Sequence, residues 1–186
     1  DAVEDTGGSL RIGAGATHAQ LLPLLAALHP DLGEVMRRFG STQVRASGTI
    51  GGNIANGSPI GDLPPCLIAL GATLVLQKGA TTRELPLEDF FLAYRKQDRQ
   101  TGEFVRAVIV PKLKDCQQFR AYKISKRIDE DISAVLAAFR FEVAQGRIGA
   151  ARMAYGGMAG TPARARNAEG FIVGARLDDV ASWSGA

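Results

Sequence analysis

The chain has 186 residues, 46% hydrophobic and 22% charged, enough for one domain or two small ones and ordinary for a soluble globular protein. Its net charge of +3 comes from lysines and arginines spread along the chain without interleaved aromatics, which argues against a nucleic-acid platform. Two isolated cysteines, the lack of an apolar run of about 20 residues and the lack of a visible signal peptide predict no metal cluster, no membrane span and a reducing, cytoplasmic setting.

The start, "DAVEDTGGSLRIGAG", lacks Met and enters a strand almost at once, so it reads as a piece of a longer polypeptide. A short strand is expected in "SLRIGAGAT", then a helix over 17–30 with Thr17 and Gln20 at capping-box spacing. Pro30 is expected to end it. A second short helix follows in "DLGEVMRRFG", where Asp31 and Glu34 have capping spacing. Residues 48–62, "GTIGGNIANGSPIGD", read as a glycine-rich loop. "LPPCLIAL" reads as a buried helical turn or two, and "ATLVLQKGATTRELPL" as a hairpin around Lys78-Gly79. "LEDFFLAYRK" is expected as a short helix, and "EFVRAVIVP" and "QFRAYKIS" as strands. Val135, Ala137, Phe139, Phe141 and Val143 alternate on one face of a further strand, with "GAARMAYGGMAG" as its antiparallel partner. The tail from Thr161 starts a helix and then stops.

Most motifs fail on inspection. "LRIGAGATHAQ" has strand, Gly13, Gly15 and helix in order. However, His18 takes the third glycine position of a dinucleotide fingerprint, and no acid ends a second strand. His18 and His29 have no nucleophile beside them and read as helix-terminal surface residues. The acid run Asp129, Glu130 and Asp131 reads most simply as a solvated turn. The loop at 48–62 is different in kind. Five of its fifteen residues are glycine and none is lysine or arginine, which excludes a triphosphate-binding loop. Gly48, Gly51 and Gly52 would let backbone N–H groups approach a diphosphate, and Thr49 and Asn53 add neutral donors. Asn56 lies in the same stretch. Asp62, an acceptor when ionised, suits the hydroxyls of a polyol. FAD combines the two. The bland alternative is a glycine-rich turn that lets two backbones pack.

The blocks "RRFGSTQVRASGTIGGNIANGSPIGDLPPCLIALGATLVL", "LEDFFLAYRK", "EFVRAVIVP", "AYKISKRIDEDISAV" and "ARMAYGGMAGTPARA" closely resemble the FAD-binding module of the xanthine dehydrogenase family, in particular the iron–sulfur and FAD subunit of bacterial members. The resemblance implies an α+β FAD-binding fold of the vanillyl-alcohol oxidase/MurB type, a mixed sheet with helices. A lobe like the C-terminal part of the carbon monoxide dehydrogenase flavoprotein follows it. The expected domains are 1–111, a flavin domain whose first FAD loop would lie upstream, and 115–186, a truncated C-terminal lobe.

The resemblance also implies a function. Purine is hydroxylated at a molybdopterin centre on a partner subunit, and electrons pass through [2Fe–2S] clusters to FAD and then to NAD+, in a heterotetramer or larger. It makes Thr49, Ile50, Gly51, Gly52 and Asn53 the turn that holds the pyrophosphate, and Asp62 the acid at the ribityl and ring. Phe39, Gly40, Val105 and Lys123 become further cofactor contacts, and 124–131 a loop near the flavin whose charges adjust its potential. The alternatives are a flavoprotein subunit of a sibling enzyme (carbon monoxide, nicotine or hydroxybenzoyl-CoA type) and a flavin-free scaffold joining partner subunits.

Overall fold

The computed structural model describes residues 2–179. Strands β1 (Val3–Asp5) and β2 (Ser9–Gly13) lead into helix α1 (His18–Leu28). The expected capping box is present. Thr17 Oγ1 accepts from the Gln20 N–H, and Gln20 Oε1 accepts from the Thr17 N–H. Pro30 does not simply end this helix, as the sequence suggested; it opens α2 (Pro30–Arg37) at a position where its missing N–H costs nothing. The cap is His29, whose Nδ1 accepts from the Asp31 N–H. Asp31 is therefore free to act elsewhere, and its Oδ2 accepts from the Ala121 N–H ninety residues away.

Helix α3 (Thr42–Ser47) precedes the main correction. The glycine-rich stretch expected as a loop contains helix α4 (Ile50–Asn56), capped by Thr49 Oγ1 on the Gly52 N–H and closed by Gly57 at φ +61°. Two glycines in one short helix cost about 1 kcal/mol each in propensity. Tertiary packing offsets that cost, because Ile50 and Ile54 are fully buried.

Helix α5 (Leu63–Leu70) is buried at all eight residues. Pro64 and Pro65 fit its first turn, and Gly71 at φ +82° ends it. The hairpin β3 (Thr73–Lys78) and β4 (Thr81–Pro86) turns at Gly79, φ +57°, as the sequence indicated. The helix expected over "LEDFFLAYRK" is only α6 (Leu87–Phe90). Beyond it β5 (Phe91–Ala93) and β6 (Lys96–Gln97) pair as a small hairpin, with Arg95 at φ +59° in the turn. Strand β7 (Phe104–Pro111) completes a five-stranded sheet in the order β1-β2-β7-β3-β4.

A second sheet has the order β11-β10-β9-β8. It is built from β8 (Gln117–Ile124), β9 (Val135–Ala144), β10 (Arg147–Gly156) and β11 (Ala163–Arg164), and is followed by α7 (Arg166–Ile172). The α+β fold is thus as the resemblance implied, and every strand pairing among the described residues is antiparallel. The last residues of the expected C-terminal lobe, 180–186, lie outside the described residues.

On β9 the face facing the main core carries Leu136 and Ala138, both fully buried. The alternating Phe139 and Phe141 lie on the other face, beside Tyr155, only partly covered. Helix α5 packs against β9 and β10 as well as β7, so one core joins both sheets. The Arg140 guanidinium donates to Leu70 O, a carbonyl that the last turn of α5 leaves open, and Arg152 adds a second donor to Ile68 O, which also accepts from the Gly71 N–H.

Candidate functional site

Where the two sheets' connections meet, a cavity of about 310 Å³ is lined by Phe39, Gly40, Asn53, Ser58, Ile60, Gly61, Asp62, Glu130, Asp131, Ile132 and Ser133. Each wall has a local cause. The Arg45 guanidinium donates to the carbonyls of Phe39 and Gly40, fixing the turn between α2 and α3. Helix α4 presents Asn53. The segment after Gly57 is tied to the second sheet through the Gly157 N–H, which donates to Pro59 O. The 125–134 connection is held onto α2 by Arg38, which donates to Ile128 O, Lys123 O and Ser125 Oγ.

Beside this cavity lies a buried ion pair. Lys123 Nζ donates to Asp62 Oδ2 at 2.7 Å, with the two side chains 2% and 5% exposed. Ser133 Oγ stands 2.8 Å from Lys123 Nζ and 2.5 Å from Asp62 Oδ1. At the rim, Asp131 accepts from the N–H groups of Arg127 and Ile132 and from the Arg127 guanidinium. The Arg127 backbone N–H is the first cause holding its carboxyl below the usual range. Glu130 is exposed at φ +56°, a conformation that costs a non-glycine residue about 1 kcal/mol or more.

Of the residues expected at the site, Phe39, Gly40, Asn53 and Asp62 line the cavity, and Lys123 joins through Asp62. Val105 is buried in β7 opposite Leu76 and does not line it. Asn56 is exposed at the end of α4. Thr49 is the cap of α4, Ile50 is core, and Gly51 rests on Ala14. The N–H groups of residues 50–53 are all engaged within the protein. Ile50 donates to Ala16 O, Gly51 to Ala14 O, Gly52 to Thr49 Oγ1 and Asn53 to Thr49 O.

His18 is not the surface residue the sequence suggested. It is 2% exposed, its ring centroid 4.6 Å from that of Phe39, and burial pushes its pKa down. His29 is half-buried against Phe119. Sequence reasoning missed Ser133. Nothing in its local pattern marks it, and it reaches Asp62 only because β8 and β9 pair antiparallel around the acidic connection.

The cavity's polar wall can be tested against a flavin. Asn53 Oδ1 is buried without a protein donor, a state that costs about 1–3 kcal/mol unless a ligand supplies one. With the Asp62 carboxylate beside it, the wall asks for hydroxyl or N–H donors. A ribityl chain and a flavin ring edge have these, whereas a diphosphate has only acceptors. The residues present therefore fit the polyol and ring half of FAD.

Residues 1–113 match the sequence profile of the FAD-binding domain in molybdopterin dehydrogenase. The chain belongs to that family. Residues 120–183 match the carbon monoxide dehydrogenase flavoprotein C-terminal domain. Nicotinate hydroxylase of Emericella nidulans is 34% identical over 172 residues, covering 86% of this chain and 13% of that protein. A xanthine dehydrogenase of the same organism is 34% identical over 152 residues, 81% of this chain and 11% of that protein. A chain of carbon monoxide dehydrogenase from Hydrogenophaga pseudoflava superposes with a TM-score of 0.88 at 27% identity, covering 99% of this chain and 65% of that one. The chain thus spans about an eighth of the length of these curated relatives. FAD is the cofactor of the family, and its members are oxidoreductases of the molybdenum hydroxylase type. Among the described residues no helix is long and apolar enough to cross a membrane, and no three metal-ligating side chains cluster.

Proposed function

We propose that this chain is the FAD-carrying part of a xanthine dehydrogenase. Within the complex, molybdenum-centre hydroxylation of purine delivers electrons through [2Fe–2S] clusters to FAD, and NAD+ accepts them. The observation that carries the flavin assignment is the unpartnered Asn53 Oδ1 beside the buried Asp62–Lys123 pair on one cavity wall. When bound, the flavin supplies two-electron redox chemistry, and the protein's part is to seat the ring and set the charges around it. Asn53 and Asp62 accept from the polyol and ring edge, Phe39 and Ile60 supply apolar wall, and Glu130 and Asp131 put negative charge at the rim. A partner subunit with the molybdenum cofactor and iron–sulfur domains complete the proposed enzyme. The blocks "GSPIGDLPP" and "FFLAYRK" resemble the xanthine branch and support that branch over its siblings, while the substrate itself is read on the molybdenum subunit.

The first test is the visible spectrum of the intact protein. Flavin absorption that is lost in Asn53→Ala and Asp62→Ala variants is expected; a folded but colourless protein would leave only the scaffold reading. The second test mixes the complete enzyme with xanthine, nicotinate or carbon monoxide and follows NADH formation. Turnover with nicotinate and not xanthine would replace the substrate assignment by that of the other relative. Reduction of an artificial acceptor without NADH would overturn the NAD+ assignment.

A further inference from the structure

The direction of the hydrogen bonds around Ser133 follows from chemistry. An ammonium has no acceptor and an ionised carboxylate has no donor. Ser133 Oγ, 2.8 Å from Lys123 Nζ and 2.5 Å from Asp62 Oδ1, must therefore accept from the lysine and donate to the aspartate. Lys123 Nζ also donates to Asp62 Oδ2, so three side chains close a ring, each bonded to the other two. All three are buried, with Ser133 2% exposed.

A buried ion pair is stabilised only when its remaining lone pairs and protons are also satisfied. Without Ser133, Asp62 Oδ1 would lose its donor and one ammonium proton its acceptor. The arrangement also sets the polarity shown to a ligand. Asp62 and Ser133 both line the cavity, and Lys123 does not. Because the one hydroxyl proton of Ser133 is committed to Asp62, Ser133 can only accept from anything in the cavity. Asp62 and Ser133 then offer the cavity acceptors only, and Asn53, which also lines it, holds an unpartnered acceptor in its Oδ1.

We propose that Ser133 is a positioning residue for the flavin. By clasping Asp62 and Lys123 it fixes the orientation in which the carboxylate meets the donor groups of the ribityl chain and ring edge. This rests on the flavin reading above. The adenine diphosphate half of the cofactor gains nothing from it.

The test uses the intact protein, depleted of cofactor and titrated with riboflavin (followed by quenching of its fluorescence) and separately with ADP (followed by calorimetry). Ser133→Ala is expected to weaken riboflavin binding about tenfold, the scale of one hydrogen bond to a charged group, and to leave ADP unchanged. Ser133→Thr, which keeps the hydroxyl, is expected to restore most of the riboflavin affinity. Near-UV circular dichroism of each variant confirms the fold; should Ser133→Ala not fold, Ser133→Cys, which keeps a weak donor, replaces it with a smaller expected loss. Equal riboflavin affinity in wild type and folded Ser133→Ala would overturn the positioning role alone. A parallel loss for riboflavin and ADP would overturn it as well, since a merely structural defect does that. Absence of riboflavin binding by the wild type would overturn the flavin reading itself.

Discussion

Gly51 in α4 lies so close to Ala14 that a side chain has no room between them. A Cβ on Gly51 would stand 2.8 Å from Ala14 O and closer still to Ala14 Cβ, while the Gly51 N–H donates to that same carbonyl at 2.9 Å. Replacing Gly51 by alanine gains up to about 1 kcal/mol of helix propensity but incurs an overpacking cost of about 1–3 kcal/mol against backbone that cannot yield. The clash wins. Gly51→Ala is expected to destabilise by about 1–2 kcal/mol in urea unfolding. Gly52→Ala, exposed and near only Thr49 Oγ1, is the control: it keeps the propensity gain and is expected to be neutral or stabilised by up to about 1 kcal/mol. Equal losses for the two would disprove the close approach.

That contact also shows what could be read from the chain alone. The capping box at Thr17, the hairpin at Lys78-Gly79 and the β9–β10 pair are local patterns whose signal sits within a few residues, and each was legible. The stretch 48–62 was not. Its glycines suggested an open phosphate loop, but Gly51 is there for packing against Ala14, thirty-seven residues earlier, and the stretch forms a helix. Asp62 was singled out by its chemistry and Lys123 through resemblance, whereas Ser133, which bonds both, becomes visible only when the two sheets meet. His18 was misplaced for a similar reason, since Phe39 covers it from another element.

The Asp62–Lys123 pair predicts an asymmetric response to mutation. Lys123→Met leaves a buried carboxylate with Ser133 as its remaining side-chain donor, an expected loss of about 3–5 kcal/mol. Adding Asp62→Asn removes the uncompensated charge, so the double variant is expected to be more stable than Lys123→Met alone. A double-mutant cycle by urea unfolding measures the coupling. Additive losses would mean that the pair is solvated rather than buried.

Stability is expected to fall on mild acidification because of His18. Burial lowers its pKa in the folded state below the ordinary 6.5, so between that lowered value and 6.5 the unfolded state binds more protons. Stability is complete above pH 6.5 and is lost as pH drops below it. His29 shifts the same way, through burial first, with Asp31 opposing and Arg120 adding. The lowered carboxylates, among them Glu34 and Asp131, contribute their losses further down, below their ordinary 4.5 and 3.8. Unfolding followed from pH 7 to 5 should therefore show a positive dependence on pH that His18→Phe reduces. An unchanged slope in that variant would mean that His18 is hydrated in the folded protein.

Glu88 joins α6 to the second sheet, and its charge should matter more than its count of bonds suggests. Its carboxylate accepts from Arg152, Arg164 and Arg166, while Arg164 also pairs with Glu169. Arg152 and Arg164 are 20% and 13% exposed; burial pulls the Arg152 pKa down, so its charge depends on Glu88, whereas the bond to Glu169 is the first cause holding the Arg164 pKa up. Glu88→Gln keeps the size and an acceptor but removes the charge. It is expected to cost about 2–3 kcal/mol, since the part-buried Arg152 guanidinium loses its compensation while Arg164 keeps Glu169. Arg166 is 64% exposed, and solvent screens its bond to Glu88, so Arg166→Ala is expected to cost less than about 0.5 kcal/mol. Salt separates the two mechanisms: in 1 M NaCl the Arg166→Ala effect should vanish, while the Glu88→Gln effect should persist because its partners are shielded from ions. If the Glu88→Gln loss also disappeared in salt, the junction between the sheets would rest on α5 and its arginine-capped carbonyls rather than on this cluster.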